Sequence, residues 1–394
     1  MSVDFRTRNQ LLLAKVESAS GTEETPVVGS NAMRVKSPLG FSPSFELVET
    51  EFARGSLTKS QPIIGGGTVG MRLSTFLMGS GAAGTTAPDI GTLLRACAMS
   101  QTATSAAVTG TAQAGAASTI TLAAGASATN NAYKGMPIST TGGTGAGQKR
   151  VITGYVGSTK VATVTPAWTT QPDATTTYSI PANHLYRPVD AGAETVTLWA
   201  YQKNSGSGSN AVLRRLMGGA GSFTLNVSPR NMCQLEFNIS GQLPANPSSV
   251  SEPSAATFQS ADPQPFLDGL AYLGDGAVQF SEFSFDLGAS VTQFDNPAAA
   301  LGYDVGQVTD RGASGRITAN LVLPSVRDIF TDWRAGTSKA LWLDWGATAG
   351  QKVSLLMPEI RYSSYEPGDT RNYATEQIGF RSVQEAGEIF ICLH

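Results

Sequence analysis

Residues 65–70, Gly-Gly-Gly-Thr-Val-Gly, fit the Gly-x-Gly-x-x-Gly spacing with which a loop cradles a dinucleotide pyrophosphate. That chemistry needs a strand before the motif and a helix N-terminus after it, so that backbone N–H groups converge on the phosphates. Here a long loop leads in and a strand-like run, MRLSTFL, leads out. The sequence therefore predicts a flexible glycine-rich approach to a strand. Gly142 to Arg150, GGTGAGQKR, resembles a phosphate loop but lacks the Gly-Lys-Ser/Thr ending and also runs into a strand, so a turn is expected.

Other reactive residues are sparse. His184 stands near Pro181 in a predicted connection and His394 is the last residue, so no nucleophile and base can be paired. The acids are scattered, with no pair whose surroundings would split their pKa values. Cys97, Cys233 and Cys392 are widely spaced, odd in number and without a Cys-x-x-Cys, which reads as buried free thiols in a reducing compartment. Asn226-Val-Ser and Asn238-Ile-Ser match the glycosylation pattern but lie within predicted strands. Near the start only a three-leucine run is apolar, too short for a signal peptide, and nothing is long enough for a membrane anchor. No catalytic residue, cofactor site or metal site is expected, and the chain is read as a non-enzyme.

The elements that could position a site come as a repeat. Ser44–Met99 reads SFELV, a loop, MRLSTFL and an apolar helix; Ser284–Gly336 reads SFDLG, a loop, GRITANL and another helix. Aligning Ser44 with Ser284 and Arg72 with Arg316 leaves loops differing by only four residues. In PDIGTLLRACAM, Ile90, Leu93, Leu94 and Cys97 form one helical stripe, and in PSVRDIFTDWRAG, Val326, Ile329, Phe330 and Trp333 do the same. Ser325 is the expected N-cap of the second helix, with Asp328 three residues on and Gly336 past its end. Each helix leads to a closing strand pair, TLNVSPRNMCQLEFNIS or QIGFRSVQEAGEIFICL. Two copies of one β-rich domain and chance similarity of two sandwich-like segments are both open readings.

The chain of 394 residues has room for two or three domains. Only 14% of its residues are charged, while Gly, Ala, Thr and Ser abound, which suits a β protein whose surface is largely covered by partners. A net charge of −3 with no Lys/Arg run argues against a protein that grips nucleic-acid phosphates. Residues 1–30 read as an arm with little core of its own, since GTEETPVVGSN is turn chemistry. Residues 31–99 and 183–241 form the first domain. Between them, residues 100–182 form a small inserted β domain, with strand alternation around the turn VGSTK. A Pro/Ser/Ala-rich linker, residues 242–265, leads to a second domain, residues 266–394. The expected fold class is mainly β: two tandem sandwich or barrel domains with one helix each, plus the all-β insert.

The run LLLAKVESASGTEETPVVGSNAMRV resembles the opening of bacteriophage tail tube (major tail) proteins, through Lys15, Glu17, Ser18, Gly21, Thr22, Pro26, Asn31 and Ala32. GTVGMRLSTFLMGSGAAG, PDIGTLLRACAM and GSFTLNVSPRNMCQLEFNISG are similar to later segments of that family. The insert, from KGMPI through GTGAGQKRVITGY to AWTTQPDATTTYSI, looks like an accessory β module of phage structural proteins. The resemblance implies a structural subunit that assembles with itself into stacked rings around a DNA-conducting channel. It also implies contact with other tail proteins (tape measure, terminator, baseplate or tip), and a place in the virion tail after assembly in the host cytoplasm. Simple members have one domain and six subunits per ring, so a doubled chain leaves a ring of three double-domain chains and a hexamer both open. The rival reading is a monomeric carbohydrate-binding or adhesin-like module, for which Trp168 is the candidate aromatic platform.

Such a channel must pass duplex DNA without binding it, so its lining is expected to be neutral to acidic. Strand alternation in FSEFSFDLG and PSFELVE puts Glu46, Glu282 and Asp286 opposite the apolar face, towards either the lumen or an outer surface. Ile63, Ile64, Phe294 and Leu301 are apolar residues in the two long loops, Ala53–Thr68 and Thr292–Ala313. With the arm Met1–Ser30 they are the expected ring-stacking contacts. The insert is expected to project outward, the alternative being that it covers the outer face of the first domain.

Overall fold

A computed structural model describes residues 4–50, 52–55, 57–205, 210–383 and 387–394. The fold is mainly β, as expected, with two short helices. Its first part comprises β1 (Gln10–Val16), β2 (Ala32–Met33), β3 (Lys36–Val48), β4 (Ile63–Phe76), α1 (Gly91–Ala96) and β5 (Met99–Thr104). The inserted strands are β6 (Val108–Thr111), β7 (Ala114–Ala116), β8 (Thr119–Thr121), β9 (Pro137–Gly142), β10 (Lys149–Val156), β11 (Val161–Thr165) and β12 (Thr177–Ile180). The chain returns through β13 (Asn183–Pro188), β14 (Val196–Lys203), β15 (Asn210–Val227), β16 (Gln234–Gln242) and β17 (Ser248–Ser251). The second part comprises β18 (Leu270–Leu273), β19 (Gly276–Ala277), β20 (Phe280–Asp286), β21 (Ala289–Asp295), β22 (Tyr303–Arg311) and β23 (Ser314–Asn320). It closes with α2 (Ile329–Ala335), β24 (Lys339–Trp345), β25 (Val353–Thr370), β26 (Tyr373–Ser382) and β27 (Phe390–Leu393).

One sheet runs through both halves in the order β3-β4-β16-β15-β20-β23-β26-β25, every pair antiparallel. The order β3-β4-β16-β15 recurs as β20-β23-β26-β25, so the two halves are equivalent four-strand units joined along the β15–β20 seam. Register fixes the equivalence. Arg72 lies opposite Gly40, and Arg316 opposite Ser284; both pairs are related by the same offset of 244 positions. Ser284 therefore corresponds to Gly40, and the alignment to Ser44 is four residues out. The second loop, Thr292–Ala313, is mostly the hairpin β21–β22, the counterpart of the distal ends of β3 and β4. Even the register shift near the base is shared, at Phe45/Leu47 and at Ser290/Val291.

Each half adds a flanking sheet, β2-β1-β14-β15-β17 in the first and β19-β18-β24-β25-β27 in the second. The long strands β15 and β25 bend from the shared sheet into the flanks. The first thirty residues are thus not a free arm, although Met1 to Val3 lie outside the described residues. β1 is a core strand: Leu12 and Ala14 enter the main core, while Leu11 and Leu13 enter a second cluster on the other face. Burial on both faces explains an apolar run without alternation. The following turn is locked by Glu17, whose buried carboxylate accepts from the Gly21 and Gly218 amides and the Thr195 and Thr197 hydroxyls at 2.6–2.8 Å. Lys15 and Ser18 donate to Glu24, and Asn31 accepts from the Val27 amide. The expected linker is partly ordered too, since β17 pairs with β15.

The insert forms its own sheet, β6-β12-β9-β10-β11-β8-β7. It covers the second half rather than the first. Its core is continuous with Trp342, Leu356, Phe390 and Cys392 on the flank of the second half. Lys149 of β10 pairs with the buried Asp344 of β24, and the Ala167 amide donates to Asp275 at 2.7 Å. The stem strands β5 and β13 pair with each other, and β13 pairs with β27, extending that flank. Outward decoration alone is therefore not its role.

Two outcomes follow for folding. Excising residues 107–181 and rejoining β5 to β13 uncovers Trp342, Leu356 and Phe390, each worth about 1.5–3 kcal/mol of burial; the shortened chain should be insoluble, as scored by soluble yield and light scattering. Glu17→Ala strands four donors and should cost about 3 kcal/mol in denaturant melts.

Candidate functional site

Strand alternation sorts the shared sheet into two faces. Phe223, Phe237, Phe283, Phe285, Ile317 and Phe380 point into the main core. The opposite face has almost no large apolar side chain. Across the seam it presents Ser222, Thr224 and Asn226 of β15 beside Ser284 and Asp286 of β20. Further out lie Arg72, Ser74, Gln234, Glu236 and Asn238 on one side, and Ser314, Arg316, Gln377, Gly379, Arg381, Ser364 and Glu366 on the other. Its acids are Glu236, Glu282, Asp286 and Glu366, set against Lys36, Arg72, Arg316, Arg361 and Arg381. Some of the polar groups are tied laterally: Arg316 donates to Gln377 at 3.1 Å, and Gln234 to Glu236 at 2.8 Å.

Glu282 and Asp286 occupy this face, Glu282 in a groove with Arg230, Gln279, Thr318, Arg371 and Gln377, and Asp286 in one with Thr224 and Ser284. Glu46 does not join them. It sits at the register shift of β3, beyond the end of β16, and its carboxylate accepts from the Tyr303 hydroxyl on β22. Ile63 and Ile64 start β4 at the same end, both exposed, with Phe45, Leu47 and Val48 exposed across the hairpin. Leu301 comes to them: its carbonyl accepts from the Gly67 amide at 3.0 Å. Phe294 is exposed on the adjoining hairpin. The four apolar residues are thus gathered at one end of the sheet.

The same end explains the glycine motif. A side chain on Gly66 would run into the Tyr303 ring, and one on Gly67 into the Phe45 ring. These glycines let aromatic rings lie across a strand, and no helix follows them. Gly143, Gly145 and Gly147 take positive φ in the turn between β9 and β10, as the sequence suggests.

Both ends of the shared sheet are open edges. Among the described residues, β3 pairs only with β4, and the 364–370 part of β25 only with β26. Pro43 on β3 and Pro367 on β25 suit edge strands, which tolerate a missing N–H. Open edges are templates for pairing with another chain.

Both histidines are buried. His184 is buried on β13 against Gln101, and burial lowers its pKa. His394 is buried 3.5 Å from Asp344; burial lowers its pKa against the pull of that carboxylate. Asp344 itself is opposed by burial but held below the usual carboxylate range by His394 and Lys149. All three cysteines are free and buried, their thiols pushed up by desolvation. Among the described residues, no three His, Cys, Asp or Glu side chains are grouped to hold a metal ion, and no helix is long and apolar enough to cross a membrane. Trp168 is 6% exposed, beneath the Arg150 guanidinium, and offers no platform.

No family model matches the chain, and no curated protein is similar enough to count as a relative. Because Ile63 and Ile64 contribute nothing to the core, an Ile63→Lys, Ile64→Lys variant should keep its folding stability within ~0.5 kcal/mol by chemical denaturation.

Proposed function

We propose that this chain is a bacteriophage tail tube subunit whose ring contains three copies, each supplying two equivalent four-strand units to one closed barrel. The observation that carries the reading is the seam: β15 and β20 join two units of identical strand order, and the outer strands β3 and β25 are their open counterparts. Repeating the seam between copies turns an open sheet into a barrel without edges, and only closure removes edges altogether.

The polar face then lines the lumen, with Glu282, Asp286, Glu236 and Glu366 set among a similar number of cations. A wall of interspersed, nearly balanced charge gives passing duplex DNA little net attraction. The exposed apolar end, with Ile63, Ile64, Phe294 and Leu301, stacks one ring on the next. Assembly from identical subunits, with other tail proteins at the ends, places the protein in the virion tail.

The seam also fixes a register. Thr224 faces Asp286 and Asn226 faces Ser284. By equivalence, Glu366 of one copy faces Ser42 of the next, and Gly368 faces Gly40. Purified protein viewed by negative stain should give rings or tubes with threefold symmetry and pseudo-sixfold detail. A Ser42→Cys, Glu366→Cys variant should form a disulfide between copies upon assembly, seen as a ladder on non-reducing gels. Featureless monomers at high concentration, or rings that keep all detail under sixfold averaging, would contradict the trimeric ring.

A further inference from the structure

Two apolar surfaces remain exposed outside the shared core. One is on α2, which Asp328 rather than Ser325 caps by accepting from the Thr331 amide at 2.9 Å. Of its expected stripe only Ile329 is buried, while Val326, Phe330 and Trp333 are exposed. The buried stripe of α1 is covered by β1, β5, β14 and β15 of its own half, which points to no partner for α2. The other surface is the distal hairpin of the first unit, where Phe45, Leu47 and Val48 of β3 lie across from Ile63 and Ile64 of β4. For this one the second unit shows the equivalent element already seated.

That element is the hairpin β21–β22, related by the offset of 244 positions. Leu47 faces Ile64 as Val291 faces Val308, so the two hairpins carry the same pair in the same register. β21–β22 lies across the ends of β15 and β16 and reaches β4. The Ala289 amide donates to the Ser222 hydroxyl at 3.0 Å, and Gln242 donates to the Tyr303 carbonyl at 2.6 Å. Gly306 comes so close that a Cβ on it would stand 3.0 Å from the Ser240 carbonyl oxygen and 3.4 Å from the Ala220 Cβ. Ala220 alternates with Ser222 and Thr224 on the polar face, yet under the hairpin it is buried. In this position Val291 and Val308 are half-buried, whereas their counterparts Leu47 and Ile64 are 65% and 64% exposed.

The second unit has a matching seat. Through the strand pairings Ser222 corresponds to Ser364, Ala220 to Arg361 and Ser240 to Arg381. Arg361 and Arg381 are exposed where Ala220 is buried. The free hairpin and the free seat belong to β3 and β25, opposite edges of the shared sheet, so one chain cannot join its own two. We infer that the distal hairpin of β3 and β4 seats across β25 and β26 of a second copy of this chain, with Leu47 and Ile64 turned onto it and Glu49 against Arg361 and Arg381. Charge favours that partner. Glu49 is the counterpart of Gln293, which faces Gly306, so its carboxylate is carried to the two guanidiniums; within the chain it pairs with the exposed Lys59 at 2.9 Å. Pro43 gives the seat added weight. Its counterpart Leu287 donates to the Phe223 carbonyl at 3.1 Å, a bond that a proline cannot make between copies. The seat rests on the ring reading and divides its apolar end. Ile64 passes with Leu47 to the neighbour within a ring, while Val48 and Ile63, on the hairpin's other face, remain for the next ring.

The test is a Pro62→Cys, Arg361→Cys variant. Its two positions correspond to Gly306 and Ala220, at the short end of the Cβ separation that a disulfide spans. Mild oxidation should link copies, and the ladder on non-reducing gels should end at three chains, because seats within one ring close on themselves. A Glu49→Arg variant should keep the parent's melting temperature, while its half-assembly concentration, read by sedimentation velocity, should rise about 10-fold. Adding Arg361→Glu should restore assembly. Cross-linking of the Ser42→Cys, Glu366→Cys variant without cross-linking of the Pro62→Cys, Arg361→Cys variant would overturn the seat and leave the ring standing. A ladder that runs past three chains would overturn it in favour of contact between rings. Parent-like assembly of the Glu49→Arg variant would overturn the pairing of Glu49 with the arginines. A parent chain that stays monomeric at its solubility limit would remove both seat and ring.

Discussion

Backbone hydrogen bonding across the β15–β20 seam is the constraint on which the rest of the structure depends. A four-strand unit leaves two rows of unpaired N–H and C=O groups, and each must find a partner or water. Joining two units satisfies one pair of rows inside the chain. It also aligns Phe223 and Phe285 across the seam, so that the halves share one core. The flanking sheets, the helices and the insert are then arranged around that shared sheet. The first flank is closed by residues near Val28, Val250 and Ala256, the second by the insert.

The division of polarity follows from the same geometry. With a period of two, every strand of the shared sheet must supply one apolar and one polar row. Ser, Thr, Gly, Asn and Gln fill the polar row almost throughout, which accounts for the low charge of the sequence. The cations there are partly engaged by amide neighbours: Arg316 donates to Gln377, and Lys36 to Gln234.

What the sequence revealed and what it hid divide along physical lines. The repeat was legible from composition and order, but its alignment slipped by four residues in β3. An even slip preserves which face each residue occupies, so alternation could not expose the error; only the pairing of Arg72 with Gly40 does. For the same reason Glu282 and Asp286 were placed on the correct face of their strand, whereas Glu46 was lost to a register shift no periodicity reports. The N-terminal strand was missed because the turn chemistry of residues 21–30 masked a preceding run buried on both faces. The stripe of α1 was read as core and is core. That of α2 reads identically, because a pattern records what a helix can bury and not what is present to bury it. The insert's resting place was invisible, since Lys149 and Asp344 are 195 residues apart.

Two strands, β15 and β25, are 18 residues long and belong to two sheets each. They act as keels. No layer can peel away from the other without breaking hydrogen bonds along a strand that both layers share. Amide exchange in the flanks and in the shared sheet should consequently be governed by one cooperative opening in each half rather than by separate layers. A pull on the outside of the molecule is felt inside as shear along β15 and β25, the direction in which an antiparallel ladder loads many hydrogen bonds at once. Stiffness of that kind comes from strand length, and needs neither disulfides nor metal.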